Sequence, residues 1–259
     1  MISLQELLNL DYLVYSSHKT ATQTLVKTLN SNSFNCINLH NLPDIGLKNG
    51  DFQEYLNNYL EKKMKKLNVI TVFRDPMERH ISSFFQGYGT RPIRLKEVGN
   101  EFETIIYRYT IEQLQNKFIQ ELGNKSLIGL SESIHELCHE LQISVEALNY
   151  NNEIEYGLYE SENIRLYIFR FDILTRNTEY LLSDITEKKI LINNANMSNS
   201  KWYKDIYSEF KASLVIPHQT ISEIYNSKRD LITLLYSDNY ESILNQAFIK
   251  YGRVSSNIT

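Results

Sequence analysis

Two kinds of hydrophobic pattern alternate along the chain. Short apolar runs of strand length occur at residues 11–15, 34–39, 68–73 and 164–171. Apolar residues at helical spacing predict helices over 22–29, 51–66, 102–123, 133 to about 148, 201–210, 219–235 and 240–250. Strands that alternate with helices favour an α/β fold with a mainly parallel central sheet flanked by helices. The middle and last thirds are expected to form a helical insertion and a helical C-terminal part.

Size and composition favour one domain. With 259 residues, of which 42% are hydrophobic, the chain can bury one sizeable core, so we expect a single domain over residues 1–259. The longest apolar runs are far shorter than the roughly 20 residues that a membrane-spanning helix needs. No basic-then-apolar leader opens the sequence. We therefore expect a cytoplasmic protein without a membrane span.

Charge and cysteine content narrow the classes of ligand. A net charge of −4 and a pI near 5.9 argue against non-specific nucleic-acid binding, which needs a strongly basic face. Cys36 and Cys138 are too few and too far apart for a disulfide framework or a Cys-based zinc site, so we expect two reduced core residues. Because the net charge of the chain is negative, an anionic ligand must be held by local positive groups.

The first candidate motif, residues 16–24, leads from the first predicted strand into the first predicted helix. Such a loop presents backbone N–H groups and the positive end of a helix dipole to an anion. Lys19 adds a positive charge, and Thr20 and Thr22 can donate hydrogen bonds to anionic oxygens. The loop contains no glycine and is not a Walker A loop, which disfavours an ATPase or a kinase. The alternative is an ordinary polar loop.

The second candidate motif, residues 73–85, follows the most apolar predicted strand and opens a helix. Asp75 is a natural N-cap, and Pro76 is a natural first helical residue. Arg74 then lies at the carboxyl end of the strand, where its planar guanidinium can hold a phosphate with two hydrogen bonds. Ser82 lies two turns into the helix and can add a hydroxyl. The alternative is a local ion-pair cluster of Arg74, Asp75 and Arg79.

The two motifs, in this order, resemble the loops of sulfotransferases that bind 3′-phosphoadenosine-5′-phosphosulfate (PAPS). Lys19, Thr20 and Thr22 fall on the lysine and hydroxyl positions of that family's 5′-phosphosulfate loop. Arg74 and Ser82 keep the spacing of its 3′-phosphate loop, an arginine followed by a serine eight residues later. The chain departs from the family at Ala21, where a glycine is frequent.

Two further segments support the resemblance. Residues 169–174 are similar to a strand end common in these enzymes, and residues 199–203 resemble a signature of putative capsular polysaccharide synthesis proteins. The resemblance implies a P-loop-like sulfotransferase fold, PAPS as the sulfate donor and no metal. It favours a saccharide hydroxyl as the acceptor. The donor-binding positions that it implies are His18, Lys19, Thr20, Ala21, Thr22, Gln23, Arg74, Ser82 and Lys201.

The reaction that the resemblance implies assigns roles to Lys19 and His40. Sulfuryl transfer, like phosphoryl transfer, builds charge on the departing phosphate oxygen, and Lys19 is the residue expected to stabilise that charge. His40 directly follows the second predicted strand and is the leading candidate for the base, with His18 as a second candidate and His80 as a structural residue. A solvated loop position is the alternative for His40. Residues 86–100, with Arg91, Arg94 and Lys96, are a candidate acceptor cleft or a solvated loop.

Two other functions remain open from the sequence. One is a zinc-dependent hydrolase, because His135, Glu136 and His139 match the His-Glu-x-x-His pattern, in which two histidines on one helix face share a zinc ion. A third ligand would have to come from one of several glutamates between Glu153 and Glu162, and no feature singles one out. The chain can also be a nucleotide-binding protein or a small-molecule kinase without sulfotransferase activity.

Overall fold

The computed structural model describes residues 8–40, 51–85, 109–123, 133–192, 204–237 and 239–252. The chain divides into two compact units. One, here called the sheet unit, comprises Met1–Arg74 and Ser131–Ala195. The other, the helical unit, comprises Asp75–Leu130 and Asn196–Thr259. Within the described ranges, no helix combines the length and the apolar character needed to cross a membrane.

The sheet unit is built on six strands. They are β1 (Tyr12–Tyr15), β2 (Cys36–Leu39), β3 (Leu67–Phe73), β4 (Tyr150–Asn151), β5 (Tyr156–Glu160) and β6 (Ile164–Arg170). Their order across the sheet is β2-β1-β3-β6-β5-β4. The strands β2, β1, β3 and β6 are parallel. The strand β5 is antiparallel to β6, and β4 is antiparallel to β5, so the sheet is mixed. The prediction of an α/β fold with helices around a sheet is confirmed.

The helices lie between and after the strands. In chain order they are α1 (Thr22–Ser31), α2 (Asp51–Lys63), α3 (Pro76–Ser83), α4 (Ile111–Gly123), α5 (Ser133–Leu141), α6 (Phe171–Thr186), α7 (Lys204–Ser213), α8 (His218–Asn226), α9 (Arg229–Leu235) and α10 (Tyr240–Tyr251). A short 3₁₀ helix, Val145–Leu148, precedes β4. The helix predicted over 133–148 therefore ends at Leu141, and the helix predicted over 219–235 is two helices, α8 and α9.

The core of the sheet unit explains why β3 has an almost continuous apolar sequence. Val69, Ile70, Val72 and Phe73 are at most 1% exposed, as expected for a central parallel strand that is covered on both faces. One core cluster joins the strands to α1 and α6, with members that include Val14, Leu25, Leu29, Ile70, Phe169, Leu181 and Leu182. Cys36 belongs to the same cluster, and burial raises the pKa of its thiol to about 12. This core fixes the strands whose ends carry the candidate site.

The helical unit has an aromatic core of its own. The ring of Phe84 lies 5.3 Å from that of Phe118 and 5.8 Å from that of Phe210, measured between centroids. Aromatic pairs at these distances add to the stability that burial provides. The predicted start of α3 is confirmed, because Asp75 caps the helix by accepting the backbone N–H of Glu78 at 2.9 Å and Pro76 is the first helical residue.

Candidate functional site

The candidate site lies in the sheet unit, where the parallel strands end. Because β1, β2, β3 and β6 are parallel and in register, their carboxyl ends meet at one edge of the sheet. The residues that follow them are Ser16, His40, Arg74 and Phe171. Ligands of open α/β sheets bind at this edge.

Hydroxyl groups fix the conformation of the loop that contains Lys19. The buried Ser16 hydroxyl donates to the Val72 carbonyl at 3.2 Å and accepts the Val72 N–H at 3.1 Å, which ties the loop to β3. The Thr20 hydroxyl donates to the Ser17 carbonyl at 2.6 Å and lies 2.8 Å from the Ser16 hydroxyl. Thr20 is fully buried, so its side chain holds the loop in shape.

The loop backbone has two residues in the left-handed region. Lys19 has φ of 70°, and Ala21, the N-cap of α1, has φ of 64° and ψ of 18°. Left-handed residues in a loop turn successive backbone N–H groups toward one side, a conformation that forms anion-binding concavities. Ala21 thus adopts a conformation that glycine adopts without strain, at the position where the sulfotransferase loop often has glycine.

The N-terminus of α5 contacts the same loop. Ser133 is the first residue of α5, and its backbone N–H donates to the Ser17 hydroxyl at 3.2 Å. The two serine hydroxyls lie 3.1 Å apart, and both residues are buried. The beginning of α5 therefore supports the loop between β1 and α1 from within the sheet unit.

Arg74 joins the ends of β3 and β6 to the Lys19 loop. Its guanidinium donates to the Lys19 carbonyl at 2.9 Å and lies 4.3 Å from the centre of the Phe171 ring. Stacking on an aromatic ring orients the planar guanidinium. The two cationic residues that the sequence predicts for opposite ends of one nucleotide are thus hydrogen-bond neighbours at the same edge of the sheet. A guanidinium has five N–H donors, so this bond is compatible with a grip on a phosphate.

The two histidines of this edge lie together. The rings of His18 and His40 are 3.7 Å apart between centroids, with an interplanar angle of 36°. The Nδ1 atom of His40 is 2.8 Å from the Ser16 carbonyl oxygen, and its Nε2 atom is 3.4 Å from the Nδ2 atom of Asn38. The Nε2 atom of Gln23 lies 3.3 Å from the Oδ1 atom of Asn38. His18 is exposed and His40 is half-buried, so this pair is at the surface of the edge.

The other predicted site residues do not belong to the described part of the sheet edge around Lys19 and Arg74. Ser82 is a half-buried residue of α3 in the helical unit. Lys201, the cleft candidates within 86–100 and the segment 199–203 are outside the described residues. His80 is 3% exposed, and burial together with the charges of Arg79 and Lys228 lowers its pKa to about 3. A histidine held neutral in this way fits the structural role expected for it.

The histidines of the zinc pattern lie on α5. His139 has a side chain that is 77% exposed, and its Nδ1 atom is 3.5 Å from the carboxylate of the buried Glu140. Among the residues that the structure describes, no three histidine, cysteine or acidic side chains are grouped closely enough to bind a metal ion. Glu160, one of the possible third ligands, pairs with Lys66 at 2.7 Å and with Arg165 at 3.0 Å.

A cavity of about 420 Å³ lies at the C-terminal end of α5. His139, Glu140, Gln142 and Tyr159 are among its lining residues. Tyr159 pairs with Leu166 near the start of β6, so the cavity is near the amino ends of the parallel strands. It is therefore separate from the edge that carries Lys19 and Arg74.

Some residues of the site were not predicted. The apolar pattern around Asn38 predicts only a strand, yet residues two apart on a strand share a face, which places Asn38 beside His40. Phe171 was assigned to the end of a strand, and its role as the aromatic surface under Arg74 needs the fold. The contact between Ser17 and Ser133 joins positions 116 residues apart, for which the sequence contains no local signal.

No protein-family model, curated protein or solved structure matches this chain.

Proposed function

We propose that the chain is a PAPS-dependent sulfotransferase with the P-loop-like fold of that family. The observation that carries the proposal is the hydrogen bond between the Arg74 guanidinium and the Lys19 carbonyl. PAPS has a phosphosulfate and a 3′-phosphate on one ribose, and a protein that binds it needs two positive groups within the span of one nucleotide. The order of the parallel strands and the left-handed loop after β1 also support the proposal.

In this proposal the backbone N–H groups at the start of α1 and the Lys19 ammonium bind the phosphosulfate. Thr22 and Gln23, in the first turn of α1, lie where the helix dipole favours an anion. Arg74 binds the 3′-phosphate. The resemblance adds Ser82 and Lys201 to the donor site, and these two assignments rest on the sequence.

The transfer step moves a sulfuryl group from one oxygen to another. The acceptor hydroxyl oxygen attacks sulfur in line, the bond between sulfur and the bridging oxygen of the 5′-phosphate breaks, and adenosine 3′,5′-bisphosphate leaves with the negative charge on that oxygen. Lys19 stabilises the charge on the leaving oxygen. One fixed cation in a site of low water content can supply several kcal/mol of this stabilisation.

His40 is the proposed base. The Ser16 carbonyl can only accept a hydrogen bond, so the Nδ1 atom of His40 has a proton, and in the neutral ring Nε2 then has the lone pair. Nε2 then takes the proton of the acceptor hydroxyl as the new bond to sulfur forms. A saccharide hydroxyl is the proposed acceptor, on the strength of the resemblance to capsular polysaccharide synthesis proteins.

Calorimetry with adenosine 3′,5′-bisphosphate tests the donor site, with AMP as the ligand that lacks the 3′-phosphate. We expect the wild-type protein to bind the bisphosphate at least about tenfold more tightly than AMP, because a charge-assisted contact contributes roughly 1.5–3 kcal/mol. Arg74→Ala should weaken bisphosphate binding by about 10–100-fold and remove the preference over AMP. Lys19→Ala should abolish release of the bisphosphate from PAPS with little effect on folding.

The matched control is Arg165→Ala. Arg165 is on β6 but pairs with Glu160 at the other end of the strand, so nucleotide affinity should not change. Equal binding of AMP and the bisphosphate by the wild-type protein, or unchanged binding by Arg74→Ala, would contradict the proposed donor site.

A further inference from the structure

A chain of hydrogen bonds leads to the proposed base from α1. It runs from Gln23 on α1 to Asn38 on β2, from Asn38 to His40, and from His40 to the carbonyl of Ser16. The sulfotransferase resemblance gives no role to Asn38. Its side chain occupies the place beside Nε2 of His40, the atom that must take a proton in the proposed reaction.

The Ser16 carbonyl, at the end of this chain of hydrogen bonds, determines which group donates and which accepts in each bond when the His40 ring is neutral. The Ser16 carbonyl accepts the Nδ1–H of His40, which in the neutral ring leaves a lone pair on Nε2. The group that faces this lone pair must be a donor, so the amide nitrogen of Asn38 points to His40. The amide oxygen of Asn38 then faces Gln23 and accepts its N–H. For a neutral His40 ring, the network therefore has Nε2 free of hydrogen and facing the Asn38 amide N–H.

We propose that Asn38 is a positioning residue, which holds Nε2 of His40 as a proton acceptor directed toward the sulfuryl acceptor. The inference rests on the proposed function. The His18 ring covers the His40 ring at 3.7 Å, so the ring is confined between the Ser16 carbonyl, the Asn38 amide and His18. A base held in one orientation is close to its reactive geometry before the acceptor binds.

The hydrogen bond from the Asn38 amide to Nε2 of His40 is long enough for the hydroxyl of the sulfuryl acceptor to replace the amide. At 3.4 Å it is longer than the usual N–H donor distances of about 2.7–3.2 Å, and it is correspondingly weak. An acceptor hydroxyl can replace the amide N–H as the donor to Nε2. During transfer the O–H bond breaks, the proton moves to Nε2, and the imidazolium keeps its Nδ1–H on the Ser16 carbonyl.

Nitrogen-15 NMR of the histidine rings and PAPS turnover together test this proposal. The ring signals of His40, among six histidines, are assigned with a His40→Gln variant. In the ligand-free wild-type protein at neutral pH we expect the proton on Nδ1 and none on Nε2. In Asn38→Asp the carboxylate can only accept, so both ring nitrogens of His40 should be protonated.

The turnover readout is release of adenosine 3′,5′-bisphosphate from PAPS, with a panel of 4-nitrophenyl glycosides as acceptors. A base contributes roughly 10²–10⁴-fold to such a reaction, so we expect kcat to fall about tenfold in Asn38→Ala and about 100-fold or more in Asn38→Asp. The affinity for the bisphosphate should change by less than about twofold in Asn38→Ala, since the substitution removes no proposed contact between the protein and the nucleotide.

Asn30→Ala is the control for a purely structural effect. The side chain of Asn30 makes two hydrogen bonds to the backbone of Cys36 at the start of the same strand, at 2.8 and 3.0 Å. Loss of this side chain should lower the urea midpoint of unfolding, because two backbone groups of Cys36 lose their partner, and it should leave kcat unchanged.

The results separate the two proposals. If the wild-type protein does not bind the bisphosphate, the proposed function fails, and the role of Asn38 fails with it. If the bisphosphate binds but the His40 proton is on Nε2, or if Asn38→Ala has the wild-type kcat, only the role of Asn38 is overturned. An equal loss of kcat in Asn30→Ala would likewise overturn it, because the effect would then be structural.

Discussion

Ala21 shows how a single residue can keep a backbone shape that its side chain disfavours. Its φ of 64° places it in the left-handed region, where a residue other than glycine is strained by roughly 1–2 kcal/mol. The loop tolerates this strain because the hydroxyls of Ser16 and Thr20 hold it from both sides. We infer that the conformation, rather than the identity of the residue, is what the proposed anion site requires.

Ala21→Gly tests this view of the loop. Glycine relieves the strain of roughly 1–2 kcal/mol, but the greater flexibility that it gives the unfolded chain lowers the free energy of unfolding by about 0.4–1 kcal/mol. The free energy of unfolding should therefore stay equal or rise by up to about 1.6 kcal/mol. Ala212→Gly is the matched control, because Ala212 is exposed near the end of α7, and there the change should cost up to about 1 kcal/mol. Urea denaturation measures both. A loss at position 21 as large as at position 212 would contradict a left-handed Ala21.

At the scale of the element, α3 is fixed by one acidic residue, Glu78, whose side chain is 19% exposed. The carboxylate of Glu78 accepts from Lys211 at 2.7 Å, from Lys250 at 2.6 Å and from the Tyr251 hydroxyl at 2.7 Å. Burial alone would raise the pKa of Glu78, but these three hydrogen bonds lower it to about 2. The first turn of α3 is thereby connected to α7 and α10 within the helical unit.

Glu78→Gln should destabilise the protein by about 2–3 kcal/mol at pH 7, because two lysines lose their shared counter-charge. The sign follows from the lowered pKa of Glu78: its contribution is present above the ordinary value of 4.5 and is lost as the pH falls toward 2. The free energies of unfolding of the variant and the wild type should therefore converge as the pH falls from 4.5 toward 2. Urea denaturation, which adds no salt, measured from pH 7 to pH 2 would reveal the convergence.

The control for Glu78 is Glu241→Gln. Glu241 is 71% exposed and pairs with an exposed arginine at 3.3 Å, so its loss should cost less than about 1 kcal/mol. Equal effects of the two substitutions would mean that the contacts of Glu78 are screened by solvent as a surface pair is.

The sequence predicted those helices and strands whose formation depends on neighbouring residues. The apolar run of β3 and the Asp75-Pro76 start of α3 were read correctly because burial on both faces and helix capping depend on neighbouring residues. The helix α6 was missed, since Phe171 continues the apolar run of β6 and no proline or glycine separates strand from helix. The strands β4 and β5 were missed too, in a polar segment with little alternation.

In the candidate site, likewise, the positions of some residues could be predicted from neighbouring residues, while their contacts depend on residues distant in the sequence. Lys19 and Arg74 could be predicted because each follows a strand and opens a helix, and parallel strands bring such positions to one edge. The contact of Arg74 with the Lys19 carbonyl, and its stacking on Phe171, depend on strand order, which periodicity does not determine. The roles of Ser16 and Asn38 depend on which neighbours their side chains meet.

At the scale of the whole molecule, acid stability depends on more than the net charge of −4. His80, in the helical unit, has its pKa lowered to about 3 by burial and by the charges of Arg79 and Lys228. The unfolded chain takes up a proton at this residue near its ordinary value of 6.5, while the folded protein does not. Stability should therefore fall as the pH drops below about 6.5, a higher window than the one that Glu78 controls.

His80→Gln should flatten this pH dependence. Each pH unit below about 6.5 costs up to about 1.4 kcal/mol through His80, so the variant should lose less stability than the wild type between pH 6.5 and pH 4.5. Asp75 acts in the opposite direction, because burial raises its pKa and the folded protein then takes up a proton first.

The matched control is His139→Gln, which makes the same change of residue at a side chain that is 77% exposed. Urea denaturation at pH 6.5, 5.5 and 4.5, followed by circular dichroism, gives the three slopes. If His80→Gln keeps the wild-type slope, the His80 side chain must reach solvent as His139 does, and the acid sensitivity of the molecule must come from its carboxylates.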